Sequence, residues 1–175
     1  MKLEATTESG TAFAPGPRNE LPQAQSAENR LQIVITATFT ATPLEQPLKF
    51  WMQALNIPAD IHFSPYDQII QESLKPNSAV TGNRRGFNIL LIRPEDWTRD
   101  LSSSGGIVAH THHLRELCEE IISAVKRIRT VTPASLLVFC CPHSAALDAN
   151  DRQVLESIQY ELIAALNVIT GVNCF

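Results

Sequence analysis

From residue 31 onward, short apolar runs alternate with segments whose apolar residues recur at helical spacing. Residues 31–36 read as a buried strand. Thr42-Pro43-Leu44-Glu45 then matches a capping box with proline at the first helical position. Leu44, Leu48, Trp51, Met52 and Leu55 predict an amphipathic helix that stops before Pro58. Residues 61–63 read as a short strand broken by Ser64-Pro65, and Asp67 is placed to cap a helix over 68–74, stopped by Lys75-Pro76-Asn77. Residues 77–85 read as a loop, 88–92 as a buried strand ended by Arg93-Pro94, and 94–109 as a polar loop centred on Ser102-Ser103-Ser104-Gly105-Gly106. Leu114, Leu117, Cys118, Ile121, Ile122, Val125 and Ile128 trace one face of a long helix. Residues 135–141 read as a strand apolar on both faces, as in a sheet covered on both sides. Asp148, with Asp151 three residues on, is expected to cap a last helix whose stripe is Val154, Leu155, Ile158, Leu162, Ala165 and Leu166. A fifth strand falls within 168–175.

The order βαβαβαβαβ predicts an α/β fold, a doubly wound, mostly parallel five-stranded sheet with helices on both faces. The expected strand order is the flavodoxin-like 2-1-3-4-5. Residues 1–29 lack apolar periodicity and are rich in Ser, Thr, Gln, Glu, Gly and Pro, so they read as a disordered lead or linker to a domain over 30–175.

Charge and cysteine usage narrow the class. A net charge of −4, from 14 Lys and Arg against 18 Asp and Glu, argues against nucleic acid as a main partner. The Lys126, Arg127 and Arg129 cluster falls where cations complement the end of a helix. The four cysteines include no CxxC pair, which removes the usual zinc and thioredoxin-like patterns. No apolar segment near the N-terminus resembles a signal peptide and no run reaches the roughly 18 residues of a membrane span, so the expectation is a cytoplasmic protein with no membrane partner.

In a doubly wound sheet the ligand crevice lies beyond the carboxyl ends of the strands. That places Thr38 and Thr40, Ser64 and Tyr66, Arg93 through Trp97 (with Glu95 and Asp96), and Cys141 through Ser144 at the candidate site. The turn after the first strand holds hydroxyls but no glycine, so neither a P-loop nor a dinucleotide fingerprint is present. Arg93 has the chemistry to hold a phosphate or carboxylate, and Asp96 or Glu95 that of a base; a strand-end ion pair or helix cap explains the same residues. His110, His112 and His113 lack the i,i+4 spacing of helical zinc ligands and read as a solvated helix start. His143 and Ser144 offer a base and a hydroxyl, but no G-x-S-x-G elbow surrounds the serine.

The segments ITATFTATPLEQPLKFWMQAL, ADIHFSPYDQIIQESLKPNS, NILLIRPEDW and LLVFCCPHS together resemble the N-terminal region of FkbH-like proteins of nonribosomal peptide and polyketide assembly lines. The resemblance implies an SGNH/GDSL-like α/β domain ahead of a haloacid-dehalogenase-like domain with a DxDxT-type aspartate motif. The whole enzyme would load a glyceryl unit from a phosphorylated three-carbon donor onto a carrier protein. This chain contains no DxDxT motif, and its turn at the family's nucleophile position reads Ala37-Thr38-Phe39-Thr40, without serine. The expectation is therefore a stand-alone or excised N-terminal domain, non-catalytic or weakly catalytic. It would dock an acyl or peptidyl carrier protein, or that partner's phosphopantetheine-bound unit, with no cofactor of its own. Thr38, Thr40, Asn83, Arg93 and Asp96 are expected to line the crevice. The alternatives are an SGNH-type esterase or acyltransferase using Thr38 or Ser144 with His143, and a pure scaffold beside neighbouring megasynthase domains.

Overall fold

The structure, a computed structural model, describes residues 30–99 and 106–175. The lead over 1–29 and most of the Ser102–Gly106 loop lie outside the described residues. Five strands run β1 (Leu31–Ala37), β2 (Ala59–Phe63), β3 (Gly86–Ile92), β4 (Ser135–Cys140) and β5 (Val172–Cys174). Their helices are α1 (Glu45–Ala54), α2 (Ile69–Leu74), α3 (Ala79–Gly82), α4 (Thr111–Val131) and α5 (Ala149–Asn167). All strand pairs are parallel, in the order β2-β1-β3-β4-β5, so the doubly wound sheet and its strand order are as the sequence predicts.

The side-chain period of two divides the sheet into faces with different cover. Val34, Leu90, Ile92, Leu136 and Val138 face α2, α4 and α5, and form one core with Leu114, Ile121, Val125, Ile128, Leu155, Ile158, Leu162 and Leu166. Burial of each such side chain contributes about 1.5–3 kcal/mol. Ile33, Ile35 and Ala37 face the other way and pack with Leu48 and Met52 of α1. Chain direction explains the imbalance. β1 to β2 steps one way across the sheet, and the three later crossovers step the other way. Right-handed connections therefore put α1 alone on one face.

Local chemistry sets the boundaries. Asp148 caps α5 as expected, its carboxylate accepting from the backbone N–H of Asn150 and Asp151 at 2.9 Å each. Arg129 turns back at the end of α4 and donates to the Ala134 carbonyl at 2.8 Å. Gly86 opens β3 at φ 109°, where a Cβ would lie 2.3 Å from the Gln32 carbonyl oxygen, so no side chain fits between β1 and β3 there.

Four expectations need correction. Thr42 does not cap α1: Thr42–Leu44 is a 3-10 turn entered from Ala41 with no side-chain cap, and Pro43 is its second residue. Asp67 does not cap α2, because its backbone is left-handed at φ 51°; Gln68 takes the cap position. Residues 77–85 are not all loop. Ser78 and Thr81 bond reciprocally and nucleate α3, with threonine where the usual box has Glu or Gln. Finally, β4 is not covered on both sides: Leu136 and Val138 are buried, whereas Leu137 and Phe139 stay half-buried.

Candidate functional site

The strand order reverses between β1 and β3, and the ladders that β3 makes with β1 and with β4 each continue one step past those strands. Thr38 N–H donates to the Leu91 carbonyl at 3.1 Å, and Cys141 N–H to that of Ile92 at 2.7 Å. Thr38, Arg93 and Cys141 therefore stand side by side at the carboxyl edge, where doubly wound sheets hold ligands. Pro94 fixes the turn after Arg93, and the 3-10 turn over Pro94–Thr98 brings Asp96 back over the strand ends.

Asp96 organises this corner. Its side chain is 4% exposed, yet it meets two guanidinium groups. Oδ2 accepts from Thr38 Oγ1 at 3.0 Å and from Arg93 Nε at 3.0 Å. Oδ1 accepts from Arg93 Nη2 at 2.6 Å and from Arg99 Nη2 at 3.0 Å. The Thr38 hydroxyl also accepts from the Arg93 backbone N–H at 3.0 Å. Arg93 lies over the Phe39 ring at 5.3 Å, and Arg99 lies over Tyr66 at 5.4 Å and donates to its hydroxyl. The hydrogen bond to Asp96, opposed in part by burial, holds Arg93 more firmly charged than usual.

Next to this network lies a cavity of about 280 Å³, lined by Phe39, Thr40, Thr42, Phe63, Ser64 and Tyr66 among others. Thr36 Oγ1 donates to Ser64 Oγ at 3.0 Å and ties the end of β2 to β1. A larger hollow of about 700 Å³ opens by the start of β2, with Arg30, Lys49 and Asp60 in its lining. Its charges are already paired, Arg30 with Asp60 at 2.7 Å and Lys49 with Glu45.

On the far side of the carboxyl edge, Glu95 accepts from the Ser144 backbone N–H at 2.6 Å. Ser144 Oγ accepts from Ala146 N–H, and neither ring nitrogen of His143 has a hydrogen-bond partner. Burial pushes His143 below its ordinary value, leaving a neutral imidazole at neutral pH. Burial raises the Cys141 thiol, against the pull of Arg93, so it stays protonated. The Thr38 proton is directed at Asp96, whose two oxygens already accept from Thr38, Arg93 and Arg99. The structure thus does not assemble Thr38, His143 and Ser144 into a hydrogen-bonded nucleophile and base.

Of the residues expected at the crevice, Thr38, Arg93 and Asp96 come together, and Thr40, Ser64 and Tyr66 line the adjoining cavity. Asn83 does not belong there. It precedes β3 at the amino edge, 5% exposed, where its amide donates to the Gln32 carbonyl at 3.3 Å and to Asn88 Oδ1 at 3.0 Å. Trp97 packs against the core as an anchor for its turn. His112 and His113 pair with Glu116, and no cluster able to hold a metal ion occurs among the described residues. Arg99 went unnoticed in the sequence. The signal is the spacing Arg93-x-x-Asp96-x-x-Arg99, which a turn of three residues brings onto one side.

The fold and its edge define a doubly wound α/β domain with a charged, hydroxyl-lined switch-point crevice. No family model matches the chain, and no curated protein matches it in sequence. No helix among the described residues is long and apolar enough to cross a membrane.

Proposed function

We propose that the chain is a non-catalytic docking domain that receives a carrier protein, or its phosphopantetheine-bound unit, at the switch-point crevice. The setting is the one its FkbH-like resemblance implies, cytoplasmic nonribosomal peptide or polyketide assembly. The observation that carries this reading is the pair of guanidinium groups on one buried carboxylate, beside a hydroxyl-lined cavity. Asp96 orients Arg93 and Arg99 without matching both charges. Arg93 uses Nε and Nη2 on Asp96, and among the described residues its Nη1 has no partner that competes with an incoming anion. A guanidinium held over an aromatic ring suits a phosphodiester, and the cavity's mixed aromatic and hydroxyl lining suits a slender amide-bearing arm. Binding is favoured over chemistry because the Thr38, Ser64 and Tyr66 hydroxyls are held by neighbours and the Cys141 thiol is protonated.

The test is calorimetric titration of the full chain with a carrier protein in its apo and phosphopantetheinylated forms. The modified form is expected to bind more tightly. Arg93→Ala should weaken that binding by about tenfold or more, the loss of a charge-assisted hydrogen bond, while Arg99 still neutralises Asp96 and keeps the fold. Unchanged binding by Arg93→Ala would remove the phosphate role, and no binding of either form would remove the docking role.

A further inference from the structure

Both ring nitrogens of His143 are closed to solvent and neither has a hydrogen-bond partner. Folded chains leave few buried polar groups in that state. The residue lies in the loop between β4 and α5, one position before Ser144. Ser144 N–H donates to Glu95 Oε2 at 2.6 Å, and that nitrogen is two bonds from the His143 Cα. The Glu95 oxygen is therefore within about 5 Å of this Cα, inside the reach of an imidazole that turns about χ1 and χ2. Glu95 Oε1 has no partner among the described residues.

Four charged groups face the ring. Glu95 comes from the turn after β3, Arg93 from the end of that strand, and Arg152 and Glu156 from α5. Arg152 is turned to the loop itself and donates to the Ser144 carbonyl at 3.2 Å. Glu156 is exposed, so water and salt screen it. Glu95 is partly buried and exerts the larger pull of the two carboxylates. A neutral imidazole has one N–H to place, whereas an imidazolium has two and a charge. A buried charge without a partner is costly, and Glu95 Oε1 is the unpaired acceptor within reach.

We propose that His143 is an acid-operated clamp: once protonated, its ring turns onto Glu95 and ties the β4–α5 loop to the turn that carries Asp96. Glu95 and Asp96 are consecutive on the 3-10 turn Pro94–Thr98. One carboxylate faces the loop, and the other holds Thr38, Arg93 and Arg99. A new ion pair on Glu95 therefore acts on the guanidinium pair through a single peptide unit, in a turn whose entry Pro94 stiffens. At neutral pH Glu95 bonds a backbone N–H of the loop; in acid it gains a second, charge-assisted bond.

The test is nuclear magnetic resonance of the full, isotope-labelled chain from about pH 7.5 to 4.5, a span around the ordinary histidine and glutamate values. The His143 ring signals should show a step centred below 6.5, because burial disfavours the charged ring. The Glu95 carboxyl carbon and the Nε–H signals of Arg93 and Arg99 should move with the same midpoint. In His143→Phe that step should vanish from all three. Glu95→Gln keeps an acceptor for Ser144 N–H but removes the charge. It should lower the His143 midpoint by about one pH unit and detach it from the arginine signals, which keeps the test decisive if His143→Phe does not fold. A His143 step that leaves Glu95 and both arginines unmoved overturns the proposal and gives the proton to Glu156 or to water. An arginine step that survives in His143→Phe overturns it as well, as does the absence of any His143 step in this span. No ligand is added, so the result stands apart from carrier docking.

Discussion

The two ends of the β1–β3 pair carry polar networks of opposite character. At the amino edge the network is neutral and sealed. Asn83 bonds the Gln32 and Phe87 carbonyls and Asn88, and Asn88 in turn donates to the Val80 carbonyl at 2.9 Å. Thr132, from the end of α4, donates to the Asn83 carbonyl. Each partner is an amide, a hydroxyl or backbone, so the network has nothing to titrate. At the carboxyl edge the network is charged and open, with Arg93 about a third and Arg99 half exposed around the buried Asp96 carboxylate. The first locks β1, α3, β3 and α4 together; the second leaves N–H groups facing water beside a cavity. A buried neutral network serves stability because any lost partner strands another. An exposed guanidinium pair can exchange water for a ligand at little cost to the fold.

The sharpest way to break this contrast is to delete a side chain from each end and compare denaturant unfolding. Asn83→Ala strips partners from the buried Asn88 Oδ1 and from the Arg85 N–H. It is expected to cost about 2–4 kcal/mol, with carrier-protein affinity unchanged in the molecules that fold. Asp96→Ala removes a carboxylate that is equally buried, but leaves behind two guanidinium groups that reach solvent. Its cost should be smaller, about 1–2 kcal/mol. Equal losses at the two ends would mean that Asp96 is as structural as Asn83.

How much of this was legible follows from what each signal measures. Apolar runs and helical periods report burial, so β1 to β5 and the stripes of α4 and α5 could be read directly. Asp148 could be read because its cap is local, set by bonds two and three residues ahead. Position along the chain also placed Thr38, Arg93 and Asp96 at the carboxyl edge, since each follows a recognisable strand. Asn83 failed because a polar residue in a presumed loop carries no sign of which edge it occupies. Its role depends on α3, four residues long, nucleated by a Ser78–Thr81 pair outside the usual Glu or Gln pattern. The half-open face of β4 failed for a different reason. Leu137 and Phe139 are as apolar as buried residues, and sequence records the need for cover without saying what supplies it.

Acid response offers the finest distinction between the ends, and the smallest effect. His143 sits at the carboxyl side, after β4, with Glu95, Glu156, Arg152 and Arg93 acting on it electrostatically. Burial outweighs the two glutamates and holds its folded-state value below the ordinary 6.5. The unfolded chain therefore takes up this proton first as pH falls. The stability that the neutral ring contributes is whole above about 6.5 and is lost as pH drops from there toward the folded value. Thermal melts between pH 7.5 and 5.5, a range chosen to bracket about 6.5, should show Tm falling in the wild type. The fall should be shallower in His143→Phe, which has no proton to bind. Asn83→Ala should lower every melt and keep the wild-type slope, because the amino-edge network holds no titrating group. A His143→Phe slope equal to wild type would assign the acid response to other groups and leave the carboxyl edge as insensitive to pH as the amino edge.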